Sequence, residues 1–223
     1  MFPDPGPRLF ALPPGADFPA LLVQGLRDRL AGQPPEAMAE LVLYVNTTRM
    51  RRRVIDLFAA AGAGILPRIR LVTDLGRDVP MPGLPAAIAP LRRRLELAQL
   101  VEGLLRMQPD LAPRSALYDL ADSLAGLMDE MQGEGVSPAT IAGLDVSDHS
   151  AHWKRTQDFM AIVAPFFTGD APPDAEARQR LVVEALARLW QGRPPTGPVI
   201  VAGSTGSRGT TARLMQLVAG LPQ

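Results

Sequence analysis

Apolar positions in the first 75 residues follow strand-like and helix-like patterns in turn. "RLFAL" (Arg8–Leu12) reads as a short strand, followed by the turn "PPGAD". "FPALLVQGLRDRLAG" repeats apolar residues at helical spacing, with Leu22, Leu26 and Leu30 on one face and Gly32 as a stop. "QPPEA" reads as a loop. "LVLYV" (Leu41–Val45) is apolar without a break, as expected of a strand covered on both faces in a parallel sheet. "NTTRMRRRVIDLFAAAGA" is a helix capped by Asn46 or Thr47, with Met50, Val54, Leu57 and Phe58 inward. "RIRLVT" (Arg68–Thr73) is a third strand. The order β-α-β-α-β predicts a parallel sheet with right-handed crossovers.

The pattern then changes. "DVPMPGLPAAIAP" carries four prolines and reads as a linker. From Leu91 to Gln191 only helical spacing recurs. The stripes are Leu91, Leu95, Ala98, Val101 and Leu105, then Leu117, Leu120, Leu124, Leu127 and Met131 behind a Ser115 cap. Trp153, Phe159, Val163 and Phe167 follow, then Leu181, Ala185 and Leu189. "GRPPTGP" is a second linker, leading to the strand "VIVAG" and the helix "TTARLMQLVAGL". The expected organisation is an α/β sheet core over 1–79, a helical insertion with flanking linkers over 80–197, and a return strand and helix over 198–223. A further strand is expected beyond "LPQ", so the chain reads as the front piece of a longer protein. The alternative is a complete domain ending on a helix.

Composition narrows the chemistry. With no cysteine among 223 residues, disulfides, zinc–thiolate sites and cysteine nucleophiles are excluded, and the cytoplasm is the expected compartment. No apolar run reaches the ~18 residues of a membrane span. "MFPDPGPRLF" lacks a basic segment leading into an apolar one, so no signal peptide is expected. Net charge is zero but uneven. Residues 1–106 hold 14 Arg against 10 acids, whereas 107–223 hold 9 basic and 13 acidic residues. A phosphate-binding surface is therefore expected on the first part or at the end.

Several stretches are candidates for chemistry. "GSTGSRGT" (Gly203–Thr210) follows a strand and opens a helix, but Arg208 and Gly209 stand where a phosphate-binding loop needs Gly and Lys. Its three-and-three glycine spacing does not fit the dinucleotide pattern either. Two readings stay open: helix-end amides with Ser204, Thr205, Ser207 and Arg208 hold a nucleic-acid phosphate, or the stretch is a turn and a cap. The first turn, with Pro14, Gly15, Ala16 and Asp17, sits where such a sheet keeps its phosphate loop. It has one glycine, no Lys and no hydroxyl, and its prolines lack amide donors. "NTTRMRRR" (Asn46–Arg53) brings four arginines, Arg49, Arg51, Arg52 and Arg53, behind an amide and two hydroxyls at a strand-to-helix turn. That set suits a phosphodiester backbone; the alternative is a solvated helix face paired with Asp56, Glu40 or other acids. Arg92–Arg94 sits at a helix start, where the macrodipole disfavours cations, and reads as a solvated face. Asp148, His149 and His152 are too few for a metal site, and Asp119, Asp122, Asp129 and Glu130 read as a solvated acidic face. No metal is expected.

"GPRLFALPPGADFPALLVQGL", "LYVNTTRMRRR", "PRIRLVTDLG", "PLRRRLELAQLV", "SALYDLADSLAGLMDEMQGEGV", "LDVSDHSAHW" and "PVIVAGSTGSRGTTARLMQ", taken in order, resemble the N-terminal, helicase-like region of the AddB family. AddB is the second subunit of AddAB-type double-strand-break repair helicase–nucleases, and the resemblance is to its alphaproteobacterial form. The likeness covers essentially the whole chain. It rests on the number and order of segments, none of which is a catalytic signature. It implies a superfamily-1 first-domain sheet with a large all-helical insertion. "YVNTTRMRRRV" is similar to a helicase segment whose Thr and Asn contact single-stranded DNA, which carries that role to Asn46, Thr47 and Thr48. "LVTDL" is similar to the next segment, with Thr73 in the hydroxyl position; the aromatic and His usual there are absent. The phosphate loop is departed from entirely, and the family's nuclease motif and iron–sulfur cysteines belong to a C-terminal region.

The expected function is thus an ATPase-dead, helicase-like scaffold with no cofactor and no catalysis of its own, inside an ATP-dependent exonuclease. Its expected partners are an AddA-like helicase–nuclease subunit and single-stranded or end-unwound DNA, with no membrane. A scaffold that touches only protein is the first alternative, and a small-molecule enzyme on an α/β fold the second.

Overall fold

The computed structural model describes residues 8–78, 81–143, 157, 159–168 and 171–222. The chain is α/β, mostly helical, with one small parallel sheet among the described residues. It divides into two compact units: Met1–Met81 with Val182–Gln223, and Pro82–Leu181.

The first unit holds the sheet. Strands β1 (Val42–Val45), β2 (Arg68–Leu71) and β3 (Val199–Ala202) are parallel, in the order β2-β1-β3. Val42 is in register with Arg68 on one side and Val199 on the other. The central place of β1 explains its unbroken apolar run. Leu41, Leu43 and Val45 are fully buried with Val23 and Leu26 of α1 (Phe18–Leu30) and Val54 and Phe58 of α3 (Thr48–Ala60). Tyr44, on the opposite face by strand alternation, is buried too. Between α1 and β1 lies α2 (Glu36–Glu40), a short helix in the stretch read as a loop. Pro34 and Pro35 precede it, where proline's fixed φ favours a helix start.

Two strand expectations change. Arg8–Leu12 is not a strand among the described residues, and Leu9 and Phe10 are exposed. The Arg8 peptide N–H donates to the Ala219 carbonyl and its guanidinium to that of Leu221, so this segment is tied to the end of a helix rather than to a ladder. The third strand stops at Leu71, because its ladder with β1 ends at the pair Val45↔Leu71. Val72–Asp74 turns as a 3-10 helix into α4 (Leu75–Asp78).

The second unit is helical among its described residues. It contains α5 (Pro90–Met107), α6 (Leu117–Glu134), α7 (Pro138–Ala142), a helical stretch over 159–163 and the start of α8 (Ala175–Gly192). Leu97, Ala98, Val101 and Leu105 pack with Ala121, Leu124, Met128, Met131, Met160 and Val163. Trp153 and the Asp148–His152 stretch lie outside the described residues.

The predicted stripes are rotated at two places. Leu91 and Leu95 are exposed, and Arg93 takes the inward position in the first turn of α5. Burial at 5% contradicts a solvated reading of this arginine. Its Nε donates to Asp174 Oδ1 at 2.8 Å, Nη1 to Glu96 Oε2 at 2.8 Å and Nη2 to the Pro172 carbonyl at 2.9 Å. Its guanidinium carbon lies 4.1 Å from the centre of the Phe166 ring. Arg92 and Arg94 stay exposed but pair with Glu96 and Asp122. In α8 the buried residues are Val182, Val183 and Leu186, while Leu189 is exposed. Ser115 does not cap α6; a 3-10 turn, Arg114–Ala116, leads in instead, and the Leu117 N–H donates to the Arg114 carbonyl.

Candidate nucleic-acid interface

Because the three strands are parallel, the turns after β1, β2 and β3 open on one edge of the sheet, the edge where such folds place ligands. Asn46–Arg53, Thr73 and Ser204–Arg208 therefore share that edge, with the β1 turn in the middle.

Of the two cap candidates, Thr47 caps α3. Its backbone is extended (φ −140°, ψ 154°), and its Oγ1 accepts the Met50 amide at 3.1 Å. Asn46 is left exposed beside β3: its Oδ1 lies 3.3 Å from where Gly203 would carry a Cβ. Thr48 and Thr73 are exposed. In the β3 turn, Gly203 (φ +72°) and Gly206 (φ +67°) adopt left-handed backbone. The Gly206 amide is turned back onto Ser204 Oγ at 3.3 Å. Thr205, Ser207 and Arg208 are exposed. Helix α9 (Gly209–Ala219) begins behind Arg208, with no side-chain cap.

The α3 arginines divide into two kinds. Arg49 and Arg52 are exposed and Arg51 half-buried, and none of the three side chains has a hydrogen bond or ion pair among the described residues. Arg53 does have a partner, but it is neither Asp56 nor Glu40: its Nη2 reaches Asp17 Oδ2 at 3.2 Å. Asp17 also caps α1, its Oδ1 accepting the Ala20 amide at 3.2 Å. The turn Pro14, Gly15, Ala16, Asp17 thus has a resident carboxylate at the helix N-terminus and no strand before it. No sequence signal marks this pair beyond two opposite charges, one capping α1 and one in the second turn of α3.

Two other features bear on chemistry. A cavity of about 550 Å³ lies beside β3, between the 8–12 segment, α1 and α9. Its charged lining is Arg8 and Arg29, with no carboxylate or imidazole. On α6, Asp119, Asp122, Asp129 and Glu130 are all exposed. Among the described residues no three His, Asp or Glu side chains gather as a metal centre requires, and no helix is long and apolar enough to cross a membrane.

Compared with known protein families and with curated proteins, the chain matches none.

Proposed function

We propose that this chain is the N-terminal, helicase-like region of an AddB-like subunit, a scaffold that guides single-stranded or end-unwound DNA and docks an AddA-like helicase–nuclease. The observation that carries the reading is the shared edge: the β1 and β3 turns lie side by side, with Asn46 against Gly203. Three arginines whose side chains have no partner among the described residues, Arg49, Arg51 and Arg52, stand in the first turns of the adjoining helix. Exposed amide, hydroxyl and guanidinium groups of this kind suit phosphate oxygens, and they contact backbone rather than bases. Tyr44, the aromatic just before the β1 turn, is buried, so it offers no open face for stacking on bases. ATP is not part of this role, because the Asp17 carboxylate stands where a nucleotide phosphate would meet α1.

The test is a titration of a fluorescent single-stranded oligonucleotide with the full chain across salt. Each phosphate-contacting Arg contributes about 0.7 to the slope of log affinity against log salt. Arg51→Ala/Arg52→Ala should reduce the slope by about 1.4. Equal slopes in wild type and variant would overturn the DNA reading.

A second reading, a scaffold that touches only protein, is favoured by exposed apolar side chains on the helical unit. Leu91, Leu95, Met107 and Tyr118 are 66%, 50%, 77% and 57% exposed. The same titration separates the two readings.

A further inference from the structure

We infer that Asp17 is a built-in competitor of the DNA strand at this edge, a carboxylate that withholds Arg53 and the start of α1 from phosphate. The inference rests on the backbone-binding role proposed for α3.

One carboxylate makes both contacts. Oδ1 takes the Ala20 amide and Oδ2 takes Arg53, each at 3.2 Å. Pro19 removes one further amide from the first turn of α1, and that turn contains no other acid. Asp17 therefore supplies the anion that a free helix N-terminus favours. Among the described residues, Arg53 is the one of the four α3 arginines held in an ion pair. A phosphodiester would offer Arg53 the same charge and the same kind of oxygen, so strand and Asp17 compete for one guanidinium. Both side chains of the pair are half exposed, 53% and 54%. Pairs of this exposure are weak, so the competition is reversible and its effect is graded rather than all-or-none.

The consequence is a division of labour along α3. Arg49, Arg51 and Arg52 meet the backbone first, and Arg53 joins only when Asp17 lets go. The edge is thereby kept from binding tightly, which suits a guide past which a strand must move.

The experiment uses the full chain, an oligo-dT probe and four variants: Asp17→Asn, Arg53→Ala, the double variant and Asp28→Asn. Asparagine keeps an acceptor for the Ala20 amide, so α1 stays capped while the charge holding Arg53 is removed. Asp28→Asn removes the same charge from the far end of α1, where Asp28 is exposed, and so controls for net charge. The expected result is about two- to fivefold tighter binding for Asp17→Asn, with the salt slope steeper by about 0.7. In the Arg53→Ala background the gain should fall to that of Asp28→Asn. Equal gains from Asp17→Asn and Asp28→Asn, or an undiminished gain without Arg53, overturn the inference and leave the binding reading standing. Salt-independent binding by the wild type and all four variants overturns both.

Discussion

Asn46 and Gly203 meet where the turns after β1 and β3 come together: the Asn46 Oδ1 lies 3.3 Å from the point at which a Cβ on Gly203 would sit. Gly203 also holds φ +72°, a left-handed conformation that other residues adopt only at a cost. Gly203→Ala should therefore lose about 1–2 kcal/mol of stability from the backbone alone. It should also push the amide of Asn46 outward. Urea unfolding of Gly203→Ala, Asn46→Ala and the double variant checks this. The double variant should lose less than the sum of the two, because the crowding is absent without Asn46. Strict additivity would mean that the two turns do not touch.

Thr47 separates folding from binding. Its hydroxyl caps α3, so Thr47→Ala should cost about 1 kcal/mol. Thr47→Asp keeps a good cap and places an anion at the favourable end of the helix, so its unfolding midpoint should match wild type. The same substitution sets a negative charge beside the α3 arginines. Oligonucleotide affinity should fall in Thr47→Asp although stability does not. A parallel loss of both would assign Thr47 a purely structural role.

Arg93 and Asp174 form a buried pair, with side chains 6% and 9% exposed. Asp174 Oδ2 additionally accepts Gln132 Nε2 at 3.0 Å. Removing one partner strands the other charge, so Arg93→Ala should cost about 3–5 kcal/mol. The apolar replacement Arg93→Met/Asp174→Leu should recover most of that loss. Denaturant unfolding of the full chain, followed by far-ultraviolet circular dichroism, measures both. A loss below about 1 kcal/mol in Arg93→Ala would show that the pair does not hold the unit together.

Gly197 sits where β3 begins, against the backbone carbonyl of Glu40, and the adjoining Val42 amide donates to the Pro198 carbonyl at 2.9 Å. A methyl group on Gly197 would run into that carbonyl, so Gly197→Ala should cost about 1–3 kcal/mol. Gly126, inside α6 with open space around it, should respond in the opposite sense. Gly126→Ala should stabilise by about 0.5–1 kcal/mol. Thermal melts of the two variants side by side check the contrast, and equal shifts would contradict it.

What the sequence determined alone are the features that depend on neighbours a few residues apart. The unbroken apolar run Leu41–Val45 requires cover on both faces, and β1 is the central strand. Thr47 three residues before Met50 is a cap because an N-cap oxygen reaches the amide three residues on. The helices around Leu26, Val54, Val101, Leu124 and Leu214 follow from apolar spacing. The shared edge of Asn46–Arg53 and Ser204–Arg208 was legible too, since parallel strands necessarily end together.

Tertiary structure decided what depends on partners far along the chain. Arg8–Leu12 has the composition of a strand, but a strand needs a ladder, and this segment bonds instead near Ala219 and Leu221. Helical spacing alone left the start of α5 open to Leu91 and Leu95 as the inward residues. Asp174, 81 residues from Arg93, settled the matter by making burial of an arginine affordable. Arg53 likewise took Asp17, 36 residues away, over the nearer Asp56. Charge attracts through space with no regard to chain order, so periodicity places residues on faces, and only the packed fold selects which opposite charges meet.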